Sequence, residues 1–328
     1  MFYKGKKVLV TGGTGLIGQP LVRMLLEQGA QVRIASLDDP ALANPGAEFK
    51  RTNLMRFDNC LEACQGMDLV FNLVGIKGSP GVTTRKVASV FVPNLMFNTN
   101  MMEAARQAEV GWYLFTSTVG VYAQAEVFIE DEMWKKPPGE NDKFAGWAKR
   151  MGELQAEAYA IEYGWKKVSI VRPANVYGPH DNFDPRNAMV VPSLIRRALE
   201  GEDPFVVWGD GSPIRDFIHA EDVARGMMLA VEKGVTDPMN LGSGTGITIK
   251  ELVDIIVSHL PKKPKVVWDT SKPAGDRKRL MDITRARQYG FEPQISFAQG
   301  IPAVMKWYLE NKTATDQRYN VFTGGKLV

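Results

Sequence analysis

Hydrophobic and polar positions change rhythm at short intervals through the first half of the chain. Lys6 to Thr11 is a brief β-branched run and predicts a strand. Leu16 to Gln28 repeats apolar residues at helical spacing and stops at Gly29, which predicts an amphipathic helix. The alternation continues with strands at Gln31–Ser36 and Glu48–Arg51, a helix at Asp58–Gln65 and a strand at Asp68–Asn72. A helix at Asn94–Glu109, a strand at Trp112–Thr116 and a long helix at Lys143–Tyr163 follow, then a strand at Val168–Arg172 that ends on Pro173. Strands separated by helices predict an α/β fold of Rossmann type, a doubly wound parallel sheet covered on both faces. Beyond Pro173 the texture shortens, with Gly and Pro between helices at Ala188–Leu199, Glu221–Lys233, Ile249–His259 and Phe297–Glu310. Strand-like pieces lie between them at Phe205–Trp208 and Lys265–Trp268.

Composition narrows the class. At 45% hydrophobic residues, 328 residues can bury a large core, which excludes a disordered, collagen-like or coiled-coil chain. The net charge of +3 is evenly spread, so neither nucleic acid nor an anionic membrane is expected as a partner. No apolar run approaches the ~20 residues of a membrane helix. The start, from Met1 to Lys7, leads into a strand and is read as no secretory signal. The two cysteines, Cys60 and Cys64, are four apart on a predicted helix, a poor geometry for a disulfide. They are read as free thiols in a reducing, cytoplasmic setting. His180, His219 and His259 show no metal-ligand spacing, so no metal is expected; His219 is read as capping a fold element.

The first chemical signal follows the first strand. Gly12, Gly15 and Gly18 in Thr11–Gly18 stand between strand and helix, the context a dinucleotide-binding turn requires. Gly12 makes the turn, Gly15 admits a pyrophosphate to the backbone, and Gly18 lets helix and strand pack closely. The helix N-terminus offers amide donors to the phosphates. At the end of the second strand, Ser36 falls near the adenosine ribose, with Asp38 and Asp39 just beyond and no arginine following. Carboxylates there repel a 2′-phosphate, so NAD is expected, with NADP possible because serine suits either. The chain thus divides into a dinucleotide-binding domain over residues 1–174 and a smaller C-terminal α/β substrate domain. The latter comprises residues 175–213 and 242–328, while residues 214–241 pack back onto the first.

Longer motifs carry a family resemblance. They are Thr11–Gly18, Asn72–Gly75, Thr116–Tyr122 and Arg172–Pro179, and they extend over nearly the whole chain. The chain resembles the extended short-chain dehydrogenases/reductases, the NAD-dependent epimerases and dehydratases of nucleotide sugars. Asn175–Pro185, Val206–Ala224 and Val266–Arg287 make the C-terminal half most similar to GDP-L-fucose synthase-like enzymes. The resemblance implies hydride transfer at a sugar carbon by a Ser/Thr, a Tyr and a Lys. The Tyr is the general acid/base, and a nearby ammonium makes its phenolate accessible near neutral pH. Thr118 matches the hydroxyl and Lys149 the lysine. Four residues before Lys149 the pattern demands tyrosine, and this chain has Ala145. Tyr163 and Lys167 repeat the spacing but straddle Gly164 at a helix end, so they are set aside. A tyrosine removed by design and a natural divergence both remain open. The resemblance further implies cofactor contacts from Gly12, Gly15, Leu16, Ile17, Ser36, Asn53, Leu54, Leu73, Val74, Lys149 and Pro173.

On the substrate side, His180 matches the family's second acid/base, but Gly120 stands where its cysteine partner belongs. Val119 and Gly120 follow Thr118, where the dehydratase branch has acidic residues. Oxidation, reduction or epimerisation at one sugar carbon, C4, is therefore the expected reaction. Arg215 and Arg279 match positions near the diphosphate, Trp208 a position near the base, and Asn175 and Val191 the sugar-nucleotide path. A GDP-sugar or other nucleotide sugar is the expected partner, and a homodimer the expected assembly. The competing reading is a non-catalytic dinucleotide-binding protein of the same fold.

Overall fold

In the computed structural model, residues 1–272 and 275–313 are described. Residues 273–274, inside the Val266–Arg287 motif, and 314–328, at the end of the expected substrate domain, lie outside the described residues. The first half builds β1 (Lys7–Thr11), α1 (Gly18–Glu27), β2 (Gln31–Ser36), β3 (Glu48–Arg51), α2 (Phe57–Cys64) and β4 (Leu69–Asn72). A short α3 (Pro80–Thr83) precedes α4 (Val87–Gln107), β5 (Trp112–Thr116), β6 (Val127–Phe128), α5 (Lys143–Glu162) and β7 (Val168–Pro173). The second half adds β8 (Asn175–Tyr177), α6 (Val190–Leu199), β9 (Phe205–Trp208), β10 (Ile214–Arg215), β11 (Phe217–His219), α7 (Ala220–Glu232) and β12 (Met239–Leu241). It closes with β13 (Ile247–Thr248), α8 (Ile249–Ser258), β14 (Val266–Asp269), β15 (Lys278–Met281), α9 (Thr284–Gln288) and α10 (Phe297–Glu310).

Seven strands form the central sheet in the order β12-β7-β5-β4-β1-β2-β3, and every pairing in it is parallel. The Rossmann-type fold is the one the alternating pattern predicts. The order reverses at β1, which opens a crevice beyond the carboxyl ends of β1 and β4, the usual ligand position in such sheets. Hydrophobic clusters cover both faces, as central parallel strands require. Residues 239–241 return to this sheet beside β7, and α7 lies against α1. A third cluster, around α6, α8 and α10, forms the core of the C-terminal lobe. That lobe carries a small sheet of order β13-β10-β15-β6.

The helix α4 begins at Val87 instead of Asn94 and runs through Pro93. Proline lacks one backbone donor, and burial of Val90, Phe97 and Met101 against the sheet outweighs that loss. Cys60 and Cys64 are both buried and free, and burial pushes each thiol up to about 12. His219 caps α7, its Nδ1 accepting from the Glu221 N–H at 3.3 Å. Tyr163 ends α5 half-exposed, stacked on Arg106, and Gly164 follows with φ +65°. It therefore shares no helical face with Lys167.

Candidate active site

The glycine turn is built by close contact. Gly12 adopts φ +66°, and its Cα lies against the backbone of Leu73 and Val74. A side chain on Gly18 would stand 2.2 Å from the Gly12 carbonyl, so only glycine lets α1 start there. No side chain caps α1, and its first turn carries no acid. The Gln19 N–H is taken by the Gly15 carbonyl and Pro20 has no N–H, so the positive end of the helix dipole, with no carboxylate or cap against it, is what the helix start offers an anion. The Thr11 hydroxyl donates to Asn72 Oδ1 at 2.8 Å and accepts from the N–H groups of Leu73 and Val74 at 3.0 Å each. This locks the end of β4 against the turn. Leu16 is buried, and Ile17 is the residue before the helix.

At the other end of the crevice, Thr14 donates to Asp38 Oδ2 at 2.5 Å and lies 3.3 Å from Ser36 Oγ. The Asp38 carboxylate is thus held beside the phosphate turn. Arg51 stands opposite Ser36 in the register of β2 and β3. The linear reading found no arginine at this edge, because only strand pairing brings Arg51 there. Leu54 is buried behind Asn53, whose side chain accepts from the Met55 N–H. Pro173 ends β7 in register with Leu241.

Thr118 precedes a single turn of 3₁₀ helix, and its Oγ1 accepts from the Gly120 N–H at 3.2 Å. The start of α5 docks on that turn: a side chain on Gly146 would lie 2.3 Å from the Gly120 carbonyl. Two glycines in α5 cost helix propensity but bring it onto the sheet, Gly146 against this turn and Gly152 against the Phe115 ring. Ala145, next to Gly146 in the first turn of α5, is half-buried and carries a methyl group and no titratable atom. Lys149 is one turn further on. Its Nζ donates to Asn98 Oδ1 at 3.3 Å and lies 5.1 Å from the centre of the Phe115 ring. A side chain on Gly75, just past β4, would come within 3.8 Å of it. Burial pulls the ammonium down to about 8, with the Glu153 charge opposing that pull. Asn98 also donates to the Ala148 carbonyl, so it fixes both the lysine and its helix. Nothing in the linear sequence marks Asn98; its part follows from α4 lying against α5.

Glycine turn, Gly75 and Lys149 line one continuous path along the strand ends. The bare α1 terminus, the contact-forced glycines and an ammonium fit a dinucleotide, pyrophosphate at one end and nicotinamide ribose at the other. When bound, that cofactor supplies hydride acceptance or donation.

The substrate-side residues are spread more widely. Arg215 and Arg279 stand side by side in the register of β10 and β15. Arg279 donates to Asp142 Oδ2 at 2.8 Å, and Arg215 donates to the Asp276 carbonyl at 2.6 Å. Burial, and then the neighbouring Arg279, lower the Arg215 pKa. Asn175 donates to the Asp216 carbonyl. Trp208 is 62% exposed at the end of β9, which removes it from the core. Val191 packs inside the C-terminal core. His180 has φ +66° and lies 4.7 Å from the Trp307 ring, beside an Asp181 that pairs with Lys77.

The family model of the NAD dependent epimerase/dehydratase family matches residues 8–242. The chain belongs to this family. It is 30% identical to the GDP-L-fucose synthase of Escherichia coli strain K12 over 94% of this chain and 98% of that protein. It is 28% identical to a dTDP-4-dehydro-6-deoxy-D-allose reductase of Streptomyces bikiniensis, over 93% and 97%. Among solved structures, Thermus thermophilus UDP-glucose 4-epimerase in complex with NAD superposes with a TM-score of 0.80 at 26% identity, covering 92% of this chain and 99% of that one. Those relatives act on nucleotide sugars with three different bases, and the family is defined by a nicotinamide dinucleotide. Among the described residues of this family member, no helix is long and apolar enough to cross a membrane.

Proposed function

We propose that this chain binds NAD and a nucleotide diphosphate sugar, GDP-linked, in a site shaped for oxidation, reduction or epimerisation at C4. In this reading Thr118 hydrogen-bonds the reacting oxygen and Lys149 holds the nicotinamide ribose. Arg215 and Arg279 receive the diphosphate, which needs forked donors. Asn175 and Trp208 lie along the sugar-nucleotide path, and His180 stands at its edge. Asp38 beside the phosphate turn supports NAD over NADP.

Ala145 lacks the hydroxyl that would move a proton to or from the sugar, so the chain as it stands is impaired in turnover. The observation that carries the proposal is the arrangement around this alanine. Thr118, Asn98 and Lys149 are held in place by their own hydrogen bonds, with a methyl group where the base belongs. A tyrosine there would sit one helical turn from the ammonium that lowers its pKa. The alanine equally favours a second reading, a protein that binds both ligands without transforming them.

One assay separates the two. Nicotinamide absorbance is followed for the chain and for Ala145→Tyr, with NAD and NADP, against GDP-sugars and their 4-keto forms. Turnover by the tyrosine variant alone is the expected result. Tight binding of both ligands with no turnover by either protein would leave the binding reading standing.

A further inference from the structure

Gly120 and Asp142 come from different elements but share one space. A side chain on Gly120 would meet the Asp142 Cβ at 3.3 Å and its Oδ1 at 3.4 Å. A Cβ at 120 would press on the Asp142 side chain, and larger side chains would compete with its carboxyl group for room. This accounts for the glycine two residues after Thr118, which the sequence leaves unexplained. From that position Asp142 reaches across to the C-terminal lobe, where its Oδ2 accepts from Arg279 Nη2 at 2.8 Å. Both partners are largely shielded, with side chains 33% and 18% exposed.

Arg279 needs such a partner. It stands in register with Arg215, so two guanidinium groups share one strand pair. One face of Arg279 lies 5.4 Å from the Phe128 ring centre, and its Nη1 is 3.8 Å from Asp276 Oδ2. Its Nε is buried with no hydrogen-bond partner. An arginine side chain loses rotamer entropy on binding an anion, and a guanidinium fork already fixed loses less. Asp142 engages a single Nη2 hydrogen, so other donors of the guanidinium are left for a ligand.

We propose that Asp142 is a positioning residue that pre-orients Arg279 for the diphosphate of the nucleotide sugar, and that Gly120 exists to admit it. The pair also joins the Thr118 turn, the start of α5 and the C-terminal lobe at one point. This inference rests on the diphosphate assignment of Arg279 proposed above, and the test separates the two.

Binding of GDP and of NAD is measured by calorimetry on the full chain and on Asp142→Ala, Gly120→Ala, Arg279→Ala and the Asp142→Ala/Arg279→Ala double variant. Asp142→Ala weakens GDP binding about tenfold, the scale of one lost charge-assisted contact, and leaves NAD binding within about twofold. Gly120→Ala shifts GDP binding in the same direction by displacing the carboxylate. In the Arg279→Ala background, removing Asp142 costs nothing further, a coupling that a merely structural role would not produce. Asp142→Ala with unchanged GDP affinity, beside a weakened Arg279→Ala, overturns the positioning role alone. An unchanged Arg279→Ala overturns the diphosphate assignment and this inference with it.

Discussion

Lys149 shows how much one residue can carry. Burial holds its ammonium at about 8, below the ordinary 10.5 of lysine. Between those values the unfolded chain binds more protons than the folded one, so stability rises with pH across the window. Below about pH 8 the desolvation cost is fully present, on the order of 3 kcal/mol. Replacing Lys149 by methionine, which spans the same space without charge, should raise the melting temperature at pH 7. That advantage should shrink as the pH approaches 10. The same substitution should weaken NAD binding by at least tenfold, if Lys149 holds the nicotinamide ribose as proposed. Thermal melts at the two pH values and an NAD titration check both. A methionine variant less stable at pH 7 would show that the Asn98 bond outweighs desolvation. Thr118, Ala145 and Lys149 could be singled out from the sequence because the family resemblance attaches to short motifs along one chain. Asn98, Asp142 and Arg51 were not, because each acquires its place only when a second helix, lobe or strand is laid against the first.

Elements were legible to the degree that they are long. Six strands of the seven-stranded sheet follow from runs with a clear period, the three-residue β12 does not, and the glycine turn is marked by flanking strand and helix. Strands of two or three residues, such as β6, β8, β10 and β13, are too short for alternation to appear. Of these, β6, β10 and β13 nevertheless join β15 in the sheet that holds Arg215 and Arg279. The start of α5 is held by a polar network the pattern does not reveal. Glu153, one turn beyond Lys149, accepts from Ser117 Oγ at 2.5 Å and from Arg172 through Nε at 3.0 Å and Nη2 at 2.6 Å. Arg172 also donates to the Tyr122 hydroxyl and the Glu130 carbonyl. All of Ser117, Glu153, Arg172 and Glu130 are buried. The network fastens α5 to β5 and β7 at the level of Thr118. Glu153→Gln leaves the Arg172 charge buried without its counter-ion, which should cost about 3–5 kcal/mol. Urea unfolding would measure it. Replacement without measurable loss would mean that the carbonyl partners of Arg172 suffice.

At the scale of the molecule, the outer surface of α4 and α5 stays uncovered among the described residues. The outward sides of α4 and α5 expose Val92, Met96, Leu154 and Ile161, the last at 78%. On the inward side the same helices bury Phe97, Met101 and Ala156 in the core. Apolar residues on both sides of a helix pair indicate that the outer side is covered in use. A second copy is the occupant proposed here, since two such helix pairs related by a two-fold axis close into a four-helix bundle. The assembly would place the supports of Lys149 next to the interface, because Asn98 belongs to α4 and Glu153 to α5. Dimer formation and nucleotide binding should therefore fail together. Leu154→Glu with Ile161→Glu puts two charges into a desolvated contact and should convert a dimer of about 73 kDa, twice the chain mass of 36.4 kDa, into monomer in sedimentation experiments. The monomer should also bind NAD more weakly, as α4 and α5 lose mutual support around Asn98. A wild-type chain that sediments as monomer at micromolar concentration would remove the dimer. A dimer unchanged by the two glutamates would place the interface elsewhere.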